Sequence, residues 1–591
     1  MLYWSEYEGH CGDIQGKRKK VDNTIYTFDI ETTSYFILHN KFYHAWQYEN
    51  LSEEEKEECE FRSCMYIWMF SINDRVYYGR NWDEFKLFID TIYSYIPERK
   101  ICFIHNLSFE FQYLKSVLNF DTVMARKAHK VMKAICSTYN FEFRCSLFLT
   151  NCALKYIPKT YNLPVEKLVG DLDYSKIRHS KTKLTEKELG YCENDCLVIY
   201  YYIKQELEKY ERVDKIPLTS TGHVRRELKE LVLKDYAYKR KVRNAVNTDP
   251  HVYNLLVQAF AGGYTHGNWI YCDTVMENVD SWDFTSSYPY VLVTHKYPST
   301  EFKKCNITRA ERMSSRFAYL LVVKFKNIKC KYFNTFISRS KCTSIKNSVD
   351  DNGRVMQAEE LTITLTDIDF RFILDTHKDI YEDKTVEYEI LECYYSSYNY
   401  LPKQFIEFVL QKYIDKTKYK NVEGKEVEYA IAKALFNSLY GMSVTNNIRD
   451  EVIFYNDDEK IKHDNKTWDE IKLTNEEIID KLNDEKKASF LSFAYGVWVT
   501  AYARNNLLRN VIKLDDYVIY CDTDSMKLAE GYDKTVIEDY NKFVQGKIKY
   551  VSEQLQIDIN KYKPTDVDGI EHMLGLFDLD AHYEVFKTLR C

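Results

Sequence analysis

Val518-Ile519-Tyr520-Cys521-Asp522-Thr523-Asp524-Ser525-Met526-Lys527-Leu528 puts two carboxylates one residue apart in the middle of an apolar run. The flanking apolar residues predict a buried hairpin over 517–528, and aspartate is at home in the turn of one. Two carboxylates at a buried tip repel each other and resist desolvation unless a cation neutralises them. Whether that tip is turn chemistry or a cation site decides how the rest of the chain is read.

Upstream, Lys433-Ala434-Leu435-Phe436-Asn437-Ser438-Leu439-Tyr440-Gly441 reads as helix. Lys433, Asn437 and Tyr440 step by four and three, so one face carries all three. A cation there can hold phosphates, and a phenol can pack on a base or sugar. An amphipathic helix stopped by glycine explains the same spacing. Before it stands Trp282-Asp283-Phe284-Thr285-Ser286-Ser287-Tyr288-Pro289. The strand-like Val279 to Phe284 delivers Asp283, and the chain then turns sharply. Backbone N–H groups of such a turn can meet a triphosphate, although a plain strand-to-helix junction looks alike.

Three more carboxylate groups lie toward the N-terminus. In Phe28-Asp29-Ile30-Glu31-Thr32-Thr33, Asp29 and Glu31 share one face of a strand and suit a hard cation such as Mg²⁺. In His105-Asn106-Leu107-Ser108-Phe109-Glu110, the carboxylate follows an apolar strand, where it either joins a metal site or favours a helix N-terminus. In Tyr191-Cys192-Glu193-Asn194-Asp195, Tyr191 and Asp195 lie one helical turn apart, and a phenol beside a metal-bound carboxylate can orient a water. Each group alone is most often surface decoration. Six in a fixed order are not.

Length and composition bound the rest. A chain of 591 residues is too long for one core and predicts two to four domains. With 18 Gly and 9 Pro, long flexible linkers are not expected. The net charge of −7 argues neither for nor against nucleic acid, because phosphate binding depends on local basic surface. The start lacks an apolar signal region and no run is long and apolar enough to span a membrane, so no membrane association is expected. The 16 Cys form no CxxC pair and read as reduced thiols. Alternating strands and helices are expected over 21–212, with a capped helix from Leu184 to Tyr210 started by Thr185 and Glu188. Residues 300–400 read as β-rich, Phe405 to Gly441 as two helices, 446–487 as a charged insertion, and Ala488 to Leu508 as an apolar helix.

Taken together the six stretches resemble the motifs of family B DNA polymerases. The first three named along the chain are similar to the exonuclease motifs, and those at Asp283, Lys433 and Asp522 to polymerase motifs A, B and C. A closer likeness is to the protein-primed branch of phages and linear plasmids. Phe260-Ala261-Gly262-Gly263 is similar to that branch's (Y/F)xGG link, and Tyr495 to Arg504 to the helix before its motif C. The segments 284–432 and 442–521 have room for its two insertions.

The resemblance implies an α/β multidomain fold. A ribonuclease H-like 3′–5′ exonuclease domain would occupy 1–212, followed by a right-hand polymerase. Its linker and first part of the palm would fill 213–300, a terminal-protein-region-1-like insertion 301–400, and fingers 401–445. A region-2-like insertion would fill 446–490 and the second part of the palm 491–591. Asp283 and Asp524, with Asp522 close by, would hold two Mg²⁺ ions, with Mn²⁺ able to substitute. Ser286, Ser287, Tyr288, Lys433, Asn437 and Tyr440 would bind the nucleotide. Asp29, Glu31, Glu110 and Asp195 would hold a second metal pair, and Tyr191 would orient the water. His105, Asn106, Phe109, Phe260, Gly262, Gly263, Ser438, Gly441 and Thr523 would contact DNA. Expected partners are template and primer DNA, deoxynucleoside triphosphates, a terminal protein primer and a separate C-terminal thumb fragment. The expected setting is the cytoplasm of a bacterial host, with a virus- or plasmid-borne gene.

The sequence departs from the family at four places. Glu110 stands where the second exonuclease motif carries Asp. Lys167, the nearest lysine before the GDxDY-like Gly170-Asp171-Leu172-Asp173-Tyr174, is displaced from the family's position, with Val169 next to the segment. Tyr429 stands one turn before Lys433, where a phosphate-binding lysine belongs. Phe586-Lys587-Thr588-Leu589-Arg590-Cys591 is similar to the run that leads into the KxY motif, so the thumb is expected to be missing. Two rival readings are an exonuclease whose polymerase half is inert and a non-catalytic remnant that binds DNA or terminal protein.

Overall fold

The computed structural model describes residues 1–588 apart from 19, 166–171, 174–175, 382–383, 461 and 463–464. Lys167, Val169, Gly170, Asp171 and Tyr174 of the GDxDY-like region lie outside the described residues, as do Leu589, Arg590 and Cys591. The chain divides into two compact units, Met1–His223 with Asp450–Lys472, and Val224–Arg449 with Leu473–Cys591.

The first unit is built on a mixed sheet. Its order is Leu2–Tyr3, Arg75–Gly79, Glu60–Ile72, Tyr26–Leu38, Lys100–Ile104, Phe141–Cys145, Val131–Cys136 and Thr122–Ala125. Tyr26–Leu38 runs antiparallel to Glu60–Ile72 and parallel to Lys100–Ile104. The strand expected to carry Asp29 and Glu31 is thus 13 residues long. Phe28, Trp68, Phe70, Phe85 and Phe88 are buried together, so part of the chain's 51 Tyr and 32 Phe serves core packing. The helix Glu186–Tyr210 packs against Tyr26–Leu38. Its Thr185 and Glu188 form the expected capping box, which satisfies N–H groups that a helix start otherwise leaves open.

Residues 450–472 join this unit as a hairpin, Glu451–Phe454 against Trp468–Ile471. Phe454 lies 5.1 Å, centroid to centroid, from Phe111, and Trp468 6.1 Å. The charged segment expected as one insertion over 446–490 is thus divided. Its later part forms the capped helix Asn475–Ala488, which belongs to the second unit.

The second unit carries two sheets. One runs Tyr264–Gly267, Val518–Thr523, Ser525–Leu528, Val275–Phe284 and Phe577–Lys587, all antiparallel. The other runs Lys296–Pro298, Glu387–Tyr400, Phe317–Cys330, Arg354–Thr366 and Cys342–Asp351, which accounts for the β-rich reading of 300–400. Within that stretch the helix Asp367–Thr376, capped by Thr366, was not foreseen. The helices Lys403–Lys418 and Glu426–Ser443 match the pair expected over 405–441. The apolar helix spans Phe493–Leu514 rather than starting at Ala488, which instead ends the preceding helix. Trp498, Val499, Leu507 and Leu508 of this helix are buried in the unit's core. No described helix is long and apolar enough to cross a membrane.

Candidate active sites

In the second unit, strand register gathers motifs that the sequence keeps far apart. Asp283 lies opposite Ser525 and opposite Asp578, and Asp522 lies opposite Ser525 and opposite Thr265. Directly opposed residues share a face, so these side chains form one row across the sheet. The turn at the hairpin tip is tight. Thr523 has φ 57°, and the Asp524 amide donates to the Asp522 carbonyl at 2.6 Å. The Asp524 carbonyl accepts from the Phe284 amide at 2.9 Å, which ties the two carboxylate-bearing segments together. Ser286 also adopts a left-handed conformation, φ 62°, and starts the helix Ser287–Thr294. A β-branched residue at positive φ is strained, and such strain gathers at functional sites.

The electrostatics follow from this crowding. Burial pushes the Asp283 carboxyl up to about 7, with Asp524, Asp580 and Asp578 adding repulsion. Burial and then Asp522 push Asp524 up to about 6. Two carboxyls held protonated toward neutral pH by burial and by neighbouring carboxylates are a donor set that a divalent cation fits, since it would supply compensating positive charge. The Asp522 carboxylate accepts from Thr265 Oγ1 and from Thr523 Oγ1, both at 3.1 Å.

Tyr288 and Tyr440, from stretches far apart in the sequence, meet with rings stacked 3.9 Å apart at 6°, a contact the spacing did not predict. Burial, then Asp524, raises the Tyr288 phenol to about 12, so it remains a neutral hydroxyl. Gly263 packs against Thr523 and Tyr288. A Cβ there would sit 2.7 Å from Thr523 Cγ2 and 3.0 Å from Tyr288 Oη. Gly262 has nothing within 4 Å of such an atom. Lys341 Nζ stands 5.9 Å from the centre of the Phe260 ring. A cavity of about 230 Å³ beside Ala261, Gly262 and Gly263 is lined by Lys341, Arg354 and Arg504. Lys433 and Asn437 lie on the exposed side of their helix, while Ser438 donates back to the Ala434 carbonyl. Ser287 is buried at the start of its helix.

Two residues near this site escaped the sequence reading. Lys416, on the preceding helix, sets Nζ 3.3 Å from Ser286 Oγ. Burial, then Lys433 and Lys420, pull it down to about 8, while Asp283 opposes the shift. A lysine thus does stand near the motif A turn, although Tyr429 occupies the position searched. Arg504 donates to the carbonyls of Ala261 and Gly262 and pairs with both oxygens of Asp369 at 3.0 and 3.1 Å. No local pattern marks either residue, because each acts on a turn far away in sequence.

In the first unit, carboxylate oxygens of Asp29, Glu31 and Asp195 all lie within 4.8 Å of one another. Glu31 and Asp195 are buried, as is Tyr191 one turn before Asp195. Glu110 is 4% exposed, and its Oε2 has no hydrogen-bond partner among the described residues. Burial, then Asp29, and lastly Glu31 hold its carboxyl well above the usual range. A buried, orphaned oxygen facing two further carboxylates is a donor set that a divalent cation fits. His105 Nδ1 sits 3.1 Å from Ser146 Oγ. Asn106, φ 66°, turns the chain into the helix Leu107–Leu114, on which Phe109 is 41% exposed beside Tyr113.

The chain matches the family described as DNA polymerase type B, organellar and viral, over residues 168–543. It is 22% identical to the DNA polymerase of Bacillus phage B103 over 487 residues, covering 78% of this chain and 76% of that relative. It is 21% identical to the DNA polymerase of Streptococcus phage Cp-1 over 561 residues, covering 90% of each. Among solved structures, phi29 DNA polymerase complexed with single-stranded DNA superposes with a TM-score of 0.64 at 18% identity, covering 96% of this chain and 86% of that one. At that identity the likeness speaks for the fold alone, a multidomain α/β fold. The family match extends over more than half of the chain: this protein belongs to the type B DNA polymerases of organelles and viruses and is a DNA-directed DNA polymerase.

Proposed function

We propose that the chain copies a phage or plasmid genome from a protein primer and proofreads its product at a second site. The observation that carries the two-site reading is the presence of one carboxylate cluster in each unit, largely buried in the first and half-buried in the second. Phage relatives and the Phe260–Gly263 link support protein priming. The phi29 enzyme has been solved with primer–template DNA and incoming nucleotides, and the same classes of ligand suit this chain.

For synthesis, the primer 3′-oxygen forms a bond to the α-phosphorus as the bond to pyrophosphate breaks. Asp283 and Asp524 would hold Mg²⁺, which when bound would supply charge to steady the attacking and leaving oxygens. Lys416, Lys433 and the amides of the 285–287 turn receive the triphosphate. Tyr288 lies under the sugar and crowds its 2′ position, and Tyr440, stacked on it, gauges the new base pair. Thr265 and Thr523 fix the orientation of Asp522.

For proofreading, Asp29, Glu31, Glu110 and Asp195 form the cation set and Tyr191 orients the attacking water. Phe109 stacks on the frayed strand, with Asn106 and His105 beside it. The test is Asp524→Asn on a labelled primer–template with Mg²⁺. Extension should fall by about 10³-fold or more, as when charge stabilisation is removed from a transition state, while 3′-end degradation persists. Loss of both activities in a folded variant contradicts separate sites.

A further inference from the structure

We infer that His572, held by Asp566, is a positioning residue that fixes Lys420 beside Lys416 at the triphosphate subsite; this rests on the polymerase reading above. Lys420 follows the helix Lys403–Lys418, and its Nζ lies 3.4 Å from His572 Nδ1. An ammonium can only donate, so Nδ1 accepts and Nε2 carries the ring proton. Nε2 faces Asp566 Oδ2 at 2.8 Å. The Asp566 side chain is fully buried, and its Oδ1 accepts from the amides of Asp568 and Ile570 at 3.0 and 2.9 Å. The His572 hydrogen bond, then the Ile570 amide, hold this carboxyl below its usual range. Asp566 is thus an ionised anchor, and the imidazole relays its orientation to Lys420.

The loop that carries the pair also touches the motif A turn. Gly575 donates to the Thr285 carbonyl at 2.7 Å, and Thr285 donates to the Leu576 carbonyl at 2.8 Å. Gly575 has φ 80°, and a Cβ there would stand 2.4 Å from the Tyr290 ring, so the loop meets the helix after motif A at a glycine. On its other side Tyr413 Oη donates to the His572 carbonyl at 2.9 Å. One loop therefore grips both the turn bearing Ser286 and the helix bearing Lys416. Lys420 lies four residues after Lys416, with its amide donating to the Thr417 carbonyl at 3.1 Å, and its charge, like that of Lys433, lowers the pKa of the Lys416 ammonium. A flexible lysine held in one place loses less freedom when a triphosphate arrives. His572 touches no substrate in this account; it acts through Lys420.

The test is single-nucleotide incorporation on a primer–template, measured in the full chain with Asp195→Asn in every variant to silence degradation. Incorporation by this parent is expected. Lys420→Ala should raise KM for the deoxynucleotide about tenfold with kcat within about twofold, the scale of one lost charge-assisted bond. His572→Ala should raise KM severalfold in the same way. His572→Gln can accept from Lys420 and donate to Asp566, and should recover most of the loss. In the Lys420→Ala background, His572→Ala should add nothing, because the relay has no end to position. A merely structural loop predicts the opposite, an equal further loss in that background, and that result overturns the proposal. So does an unchanged KM in folded His572→Ala. If His572→Ala does not fold, Asp566→Asn in the two Lys420 backgrounds makes the same comparison. No incorporation by the parent defeats the polymerase reading and this proposal together; incorporation without the coupling defeats this proposal alone.

Discussion

At the scale of single residues, the carboxyls carry the account. Asp283 sits at about 7 and Asp524 at about 6, while a free aspartate titrates near 4. A carboxyl whose pKa rises on folding binds its proton more tightly in the folded chain. Its stabilising effect is full at low pH and is lost as pH rises through those values. In chelator at about pH 8, Asp283→Asn should therefore melt roughly 2 °C above the parent, a gain of about 1 kcal/mol after allowing for partial exposure. The difference should shrink as pH falls through the Asp283 value and vanish only below about 4, where the unfolded carboxyl is protonated as well. Equal melting at the higher pH contradicts the repulsion described. These acids were legible because each belongs to a short local pattern. Lys416 and Arg504 were not, because Lys416 meets Ser286 across 130 positions of sequence and Arg504 meets Gly262 across 242.

At the scale of elements, the period of apolar residues and the caps were sufficient for most of the fold. Thr185 and Glu188 marked a helix start that exists. The hairpin around Asp522 was legible because apolar residues enclose it on both sides. The helix Asp367–Thr376 was not, because its short length sits inside a β-rich stretch and only Thr366 marks its start. The glycine pair shows what spacing alone cannot say. Gly263→Ala forces Thr523 or Tyr288 to shift, an overpacking cost of about 1–3 kcal/mol. Primer extension should fall roughly 10- to 100-fold with degradation of single-stranded DNA unchanged. Unimpaired extension by Gly263→Ala contradicts the close fit. Gly262→Ala meets no neighbour within 4 Å, so any loss there reports on a ligand rather than on packing.

At the scale of the molecule, two units carry two carboxylate clusters, and the chain crosses between them more than once. The sequence order of the six motifs made the family legible. That 450–472 folds with the first unit was not, because it depends on Phe454 and Trp468 meeting Phe111 more than 300 positions away. The account's central claim is that one chain both shortens and lengthens DNA 3′-ends. The direct measurement is a labelled primer–template with Mg²⁺, with and without deoxynucleotides. The account predicts shortening without nucleotides and net lengthening with them. Shortening under both conditions would contradict it and leave an exonuclease whose polymerase site does not turn over.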